Sequence, residues 1–246
     1  MKALFLRRTD CAHSDRAEAF LRTRFTQVTV VKAGGPGNEL NPALLLDTPD
    51  VLFAFRSHTI VRKAFIDAIP LCINFHPGPP ERRGTGCVNF ALIAGDHSYG
   101  CTCHHIDTEI DHGPIINVRR FPVSERDGVA EVLNRTYDYM LCQLYEVVDR
   151  IAEGKGITQA DHVWSGAVGK ACEMNALREI TLSPEAAADL DRQVRATAFG
   201  MFQPFVVLHG RRFSLDQQQP ITQSVPLSNT GTLLAPPQVE MVDSRE

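Results

Sequence analysis

Four short apolar runs, each followed by a polar or amphipathic stretch, fill the first third of the chain, and this alternation restricts its fold more than any other feature. Lys2 to Leu6, Gln27 to Lys32, Val51 to Phe55 and Leu71 to Phe75 are five or six residues each. They are too short for helices that bury a face, and they carry the β-branched and aromatic residues that suit strands. Between them, residues 14 to 24 place Ala17, Phe20 and Leu21 at helical spacing behind Ser14 as a candidate cap, and residues 61 to 68 allow a second short helix. The Gly34-Gly35-Pro36-Gly37 stretch follows the second run rather than the first and lacks the spacing of a phosphate loop, so it reads as a turn.

Strand, helix and strand in repetition predict an α/β fold: a Rossmann-like, mostly parallel sheet flanked by helices. The pattern continues with a helix over Gly86 to Ala94, strands over Tyr99 to Ile106 and Pro114 to Phe121, and a long amphipathic helix from about Gly128 to Glu153 that Gly154-Lys155-Gly156 ends. A boundary is expected near residue 155, dividing a domain of residues 1–155 from a small appendage of residues 156–246. In the appendage, Ser183-Pro184-Glu185 opens a helix, Phe205 to Leu208 and Arg212 to Leu215 form a hairpin, and the polar, Pro-rich stretch after 216 is extended.

Composition removes several function classes. With 43% hydrophobic and 22% charged residues the chain can build a core without being disordered, and no run approaches the roughly 18 apolar residues of a membrane helix. The opening MKALFLRRTD is too short in its apolar part for a secretory signal, so a cytoplasmic location is expected, and the seven cysteines read as free thiols. A formal charge of −4 argues against a general nucleic-acid binder.

The chemistry concentrates in residues 71 to 116. Asn74 and His76 stand two apart at the end of a strand and therefore share a face, where open α/β sheets bind ligands. Asp111 lies in a turn before Gly113, where a loop can fold back toward them. An amide donor, an imidazole and a carboxylate suit acyl transfer between nitrogens, which needs an oxyanion donor, a proton-handling group and an orienting acid. Spacing alone leaves a plain turn cap as the alternative. Cys101, Cys103 and His105 face one way on their strand with no fourth ligand at a recognised spacing, so packing is preferred to a zinc site and no metal is expected. His112 reads as a loop residue with room to line the site. Arg7, Arg8 and Thr9, after the first run, and Arg82 and Arg83, after His76, are candidates to hold a phosphate-bearing substrate.

The motifs Asn74-Phe75-His76-Pro77, Arg83-Gly84, Ala94-Gly95, Gly100-Cys101-Thr102 and Asp111-His112-Gly113-Pro114-Ile115-Ile116 resemble those of the folate-dependent formyltransferases over residues 1 to 155. The resemblance implies that Asn74 and His76 stabilise an oxyanion, that Asp111 holds and tunes His76 and helps remove a proton, and that the formyl donor is 10-formyltetrahydrofolate. It places the pterin against Phe53 to His58, with Phe55, Arg56, Ser57 and His58 as contacts, and against the loop with Asp107, Thr108 and Glu109. The loop Gly78-Pro79-Pro80-Glu81-Arg82-Arg83 departs from the Ser-Leu-Leu-Pro of better-known members, so the acceptor side is expected to be remodelled. This loop and the short appendage are most similar to the sugar N-formyltransferases. They imply a nucleotide-diphosphate amino sugar as the partner, GDP-perosamine as the narrowest choice, destined for lipopolysaccharide O-antigen. A homodimer is compatible with that resemblance; nucleic-acid binding and membrane insertion are not expected. Another small amine such as a siderophore hydroxylamine, hydrolysis of the formyl folate, and a catalytically silent folate or nucleotide binding module stay open as alternatives.

Overall fold

The computed structural model describes residues 1–33, 38–183, 187–200 and 202–215. The turn expected at 34–37, part of the helix start at 183–185 and the extended stretch after 216 lie outside the described residues.

The expected strands form and join one sheet. β1 (Lys2–Arg8), β2 (Gln27–Ala33), β3 (Val51–Phe55), β4 (Leu71–His76), β6 (Ser98–His105) and β7 (Ile115–Pro122) take the spatial order β2-β1-β3-β4-β6-β7. β5 is the two-residue segment Arg83–Gly84 between β4 and β6. Pairings among the first four strands are parallel, while β6 is antiparallel to both β4 and β7. The sheet is therefore mixed, with its parallel part holding the apolar runs that opened the sequence. β1 and β3 are central and covered on both faces, and all five residues of β3 are buried, as a continuous apolar run requires.

Alternation along the strands sorts the core into two layers. Ala3, Phe5, Phe53, Phe55, Ile73, Phe75, Cys101 and Cys103 point to one face and pack against α1 (Ala12–Arg24) and α4 (Val129–Ala152). Leu4, Leu6, Leu52, Ala54 and Cys72 point to the other and meet Val61, Phe65 and Ile69 around α2 (Lys63–Ala68). α4 buries Val129, Val132, Met140, Leu144, Val147 and Ile151 at three- and four-residue spacing, and Gly154 ends it with a positive φ of 70°. α1 differs from expectation at its start: Cys11 is the cap, its Sγ accepting the Ser14 N–H at 3.4 Å, and Ser14 is buried inside the first turn.

α3 (Cys87–Ala94) lies between β4 and β6. After α4 the chain adds two small two-stranded sheets, apart from the six-stranded one. β8 (Val168–Gly169) pairs in parallel with β5. α5 (Ala171–Ala176) and α6 (Ala187–Thr197) follow, then the hairpin of β9 (Phe205–Leu208) and β10 (Arg211–Ser214) at the expected place. α6 packs on α3, with Ala196 fully buried and its carbonyl accepting from Asn89 Nδ2 at 2.7 Å. No helix among the described residues is long and apolar enough to cross a membrane.

Gly100 on β6 pairs with Arg120 of β7, and a Cβ there would lie 2.0 Å from the Arg119 carbonyl oxygen. Gly100→Ala is expected to cost about 2–3 kcal/mol by forcing the backbones apart, lowering the melting temperature by roughly 4–12 °C. An unchanged melting curve would contradict this register.

Candidate active site

Beyond Cys72, the side chains at even positions of β4 and β6 meet loops and the first residue of α3, whose Cys87 Sγ lies 3.8 Å from His76 Nε2. Asn74 pairs directly with His104, and His76 with Thr102, so four polar side chains form one patch on the α2 face. Tyr99 Oη donates to the Pro77 carbonyl and Thr102 Oγ1 to the Gly78 carbonyl, each at 2.8 Å, which holds the turn after His76 in place. Gly78 itself has no room for a side chain: a Cβ would stand 2.6 Å from His76 Nε2 and 2.7 Å from the Arg82 carbonyl oxygen.

Asp111 reaches this patch from the loop between β6 and β7, in a left-handed conformation with φ of 45°. Its Oδ2 lies 3.1 Å from His76 Nδ1 and accepts the Gly84 N–H at 2.9 Å, while Oδ1 stands 3.6 Å from His104 Nε2. The side chains of His76 and Asp111 are only 3% and 10% exposed. The loop is held by Arg83, which donates from Nε to the Asp111 carbonyl at 2.7 Å and from Nη2 to the Ile110 carbonyl at 3.0 Å.

Hydrogen-bond partners define the protonation of His76. Nδ1 faces the carboxylate of Asp111 and Nε2 faces the Arg82 carbonyl oxygen at 2.7 Å, so both ring nitrogens address acceptors and the ring satisfies both only as an imidazolium. Burial opposes that charge, but Asp111 outweighs it and raises the imidazole well above its usual value. For Asp111, burial alone would raise the carboxyl; the attraction of His76 and the hydrogen bonds from His76 and the Gly84 N–H overcome this and hold it far below the usual carboxylate range. His104 donates from Nδ1 to the His105 carbonyl at 2.8 Å, leaving Nε2 to accept from Asn74 Nδ2 at 3.0 Å. Trp164, from the segment after α4, stands edge-on to both imidazoles.

The other residues singled out in the sequence fall into three places. Phe55 is fully buried in the core, and because it pairs with Phe75, the Arg56 to His58 turn leaves the sheet beside His76. There Arg56 takes a positive φ of 53°, lies 3.5 Å from the Tyr137 ring centroid and donates to Cys11 Sγ at 2.8 Å. Burial opposes the Cys11 thiolate, yet the Ser14 donors and Arg56 hold the thiol below its usual value. Ser57 Oγ accepts the Thr59 N–H, and partial burial with the nearby cations Arg8 and Arg56 holds His58 below its usual value. Asp107, Thr108 and Glu109 lie in the Asp111 loop, where Asp107 accepts from Glu109 N at 2.9 Å and contacts His112 Nδ1 at 2.7 Å, raising that imidazole. Thr108 is exposed.

Among the candidate phosphate holders, Arg8 is exposed at the end of β1. Thr9 follows it, its N–H donating to the Ala33 carbonyl at 3.2 Å. Arg7 is buried and paired to Asp15 and Glu18, Arg82 is bound through both Nε and Nη2 to Asp96, and Arg83 serves the Asp111 loop. A cavity of about 480 Å³ opens beside that loop, lined among others by Arg83, His112, Gln159, Val163 and Trp164.

Cys101 and Cys103 point into the α4 layer, where burial pushes the first thiol up to about 12 and the second well above its usual value. Among the described residues, no three His, Cys, Asp or Glu side chains stand together as a metal site. Sequence reasoning passed over His104 and Trp164. The first had a signal, since pairing Thr102-x-His104 against Asn74-x-His76 puts all four on one face. Trp164 had none, because it lies far along the chain in a segment without regular structure.

A carboxylate-held imidazole beside an amide, at the carboxyl end of a parallel strand, is an arrangement chemically suited to acyl transfer. The profile of the formyl transferase family matches residues 25–148, about half of the chain, and the chain belongs to that family. The dTDP-4-amino-4,6-dideoxyglucose formyltransferase of Mycobacterium bovis is 33% identical over 113 residues, 46% of this chain and 47% of the relative. A methionyl-tRNA formyltransferase of Treponema pallidum is 30% identical over 196 residues, 76% of this chain and 59% of the relative. The chain thus spans about half to three fifths of the length of these relatives. A sugar N-formyltransferase from a Shewanella species superposes with a TM-score of 0.69 at 19% identity, covering 91% of this chain and 99% of that one. The N-formyltransferase of Helicobacter canadensis, solved with folinic acid and dTDP-3-aminofucose, gives 0.67 at 16% identity over 85% of each chain.

The shifted pair makes stability depend on pH with a defined sign. Asp111, depressed in the fold, contributes stability fully above its unfolded value of about 3.9; His76, raised in the fold, contributes it fully below about 6.5 and loses it as pH rises through the raised value. Asp111→Asn is therefore expected to cost about 3–5 kcal/mol near pH 5.5, with the gap to the unsubstituted protein narrowing below about pH 4 and above about 6.5. Denaturant unfolding across pH measures it; a gap that does not change with pH would show that the pair is not ionised as described.

Proposed function

We propose that the chain transfers the formyl group of 10-formyltetrahydrofolate to the primary amine of a nucleotide-diphosphate amino sugar. The observation that carries this reading is the buried His76–Asp111 pair beside Asn74 and His104 at the carboxyl end of β4. Family membership supports the formyl chemistry. The acceptor is suggested by the amino-sugar enzyme among the relatives and by the structural neighbour solved with folinic acid and a dTDP-linked amino sugar. GDP-perosamine stays within this class as a specific candidate.

In the proposed reaction the amine lone pair attacks the formyl carbon, the bond from that carbon to the folate nitrogen breaks, and the proton lost by the amine ends on the departing nitrogen. Negative charge builds on the formyl oxygen meanwhile. Asn74 offers an N–H dipole and His76 a fixed positive charge to that oxygen, and neither has to reorganise when the charge appears. Asp111 keeps His76 protonated and oriented. A carboxylate held so far below its usual range is a weak base, so its part in proton removal is indirect, through the imidazole and water. On the acceptor side the exposed Arg8, with the amino end of α1, offers positive potential for a diphosphate, while the Arg56 to His58 turn stays on the folate side. Arg7 and Arg82, already paired with acids, serve by shaping that edge.

The deciding assay supplies 10-formyltetrahydrofolate with GDP-, UDP- and dTDP-linked amino sugars, initiator methionyl-tRNA, a small hydroxylamine, and buffer alone. A formylated nucleotide sugar is the expected product, with a rate that climbs with pH as the amine loses its proton and then levels. Formylated tRNA, a formylated hydroxylamine, or formate released without acceptor would replace this reading. His76→Ala and Asp111→Ala should each lower kcat by about 10²–10³-fold in folded protein, the loss expected for one oxyanion-stabilising group. Turnover close to that of the unsubstituted protein in either variant would remove the pair from the chemistry.

A further inference from the structure

The strap of chain after α4 is tied across the loops that carry the site, although it lies outside the residues matched to the family. Ala160 N donates to the Ile115 carbonyl at 2.8 Å, Ser165 N to the Pro80 carbonyl at 3.0 Å, and β8 pairs with β5 beside Arg83 and Gly84. These ties fix both ends of the segment around Trp164, the only tryptophan in the chain. Its indole N–H donates to the Gly113 carbonyl at 2.7 Å, two residues beyond Asp111. Its ring stands 4.9 Å from the His104 ring at 88° and 5.8 Å from the His76 ring at 72°. Arg83, which holds the Asp111 loop by two carbonyls, has its guanidinium 6.0 Å from the same indole.

Trp164 also lines the 480 Å³ cavity beside the loop, whereas His76 and His104 do not. The indole is thus the wall between that cavity and the two imidazoles. Charges screened by water interact far more weakly than charges in a low-dielectric surround. Such a wall raises the worth of the His76–Asp111 attraction, and the bond to Gly113 limits how far Asp111 can drift.

From this we infer that Trp164 is a positioning residue for the reaction: its N–H fixes the Asp111 loop through Gly113, and its ring keeps water from His76 and His104. The inference rests on the formyl-transfer reading for its kinetic arm only. A mere packing role would lower overall stability and leave the loop and the chemical step alone.

The test compares Trp164→Phe, which keeps an aromatic cover without the N–H, and Trp164→Ala, which loses both. Hydrogen exchange followed by mass spectrometry on the full chain needs no substrate. Peptides spanning 107–113 should exchange about tenfold faster in both variants, while peptides of α4 keep their protection. In formyl transfer, kcat should fall about tenfold in Trp164→Phe and about 100-fold in Trp164→Ala, with KM for the amine within about twofold, so that phenylalanine is a partial rescue. Unchanged exchange in 107–113, equal loss of protection in α4, or a kcat within twofold in Trp164→Ala would each overturn the inference. If the unsubstituted protein formylates no acceptor offered, the functional reading fails and the exchange arm still decides the role of Trp164.

Discussion

A carboxylate removed from water must recover in hydrogen bonds and opposite charge what it loses in solvation, and Asp111 shows how much of the surrounding structure that demand recruits. One oxygen takes the His76 imidazolium and the Gly84 N–H, the other faces His104, and the backbone of the same residue is held by Arg83. These contacts come from three separate strands: His76 from β4, Arg83 and Gly84 from β5, and His104 from β6. Removing the acid would leave His76 charged between a carbonyl and nothing, so the loops at this edge of the sheet are mutually dependent.

The change of direction between β4 and β6 makes this possible. Parallel β1, β3 and β4 align their carboxyl ends, so the Arg8, Arg56 and His76 edges lie side by side. An antiparallel β6 then sets Thr102 and His104 directly opposite His76 and Asn74, which a parallel neighbour would have placed in a slanted register. The same reversal delivers the loop after β6 next to Cys72, where Ile106 N donates to the Cys72 carbonyl at 2.8 Å, and the loop folds back over the patch. Gly113 is needed there because a Cβ would lie 1.9 Å from the His105 carbonyl oxygen.

Much of the fold was legible because its signals are local. The runs at 2–6, 27–32, 51–55 and 71–75 became strands within one or two residues, and the 128–153 pattern became α4. Asn74, His76 and Asp111 stand together around His104, a set that spacing alone left open and that the family resemblance singled out. What escaped depends on distant contacts. Ser14 looked like a helix cap because nothing nearby in sequence says that Cys11 caps instead, and Arg7 and Arg82 looked like phosphate holders because their partners Asp15, Glu18 and Asp96 are paired through folding. Trp164 lies more than fifty residues from the motif it covers.

The central claim is that His76 is a fixed imidazolium, donating to Asp111 from Nδ1 and to the Arg82 carbonyl from Nε2. Nitrogen-15 NMR of histidine-labelled protein reads this at the ring itself. Both nitrogens of His76 should carry protons at neutral pH, with no titration near the ordinary imidazole value of about 6.5. A His76 ring that loses a proton near 6.5, or that shows one bare nitrogen at neutral pH, would contradict the account.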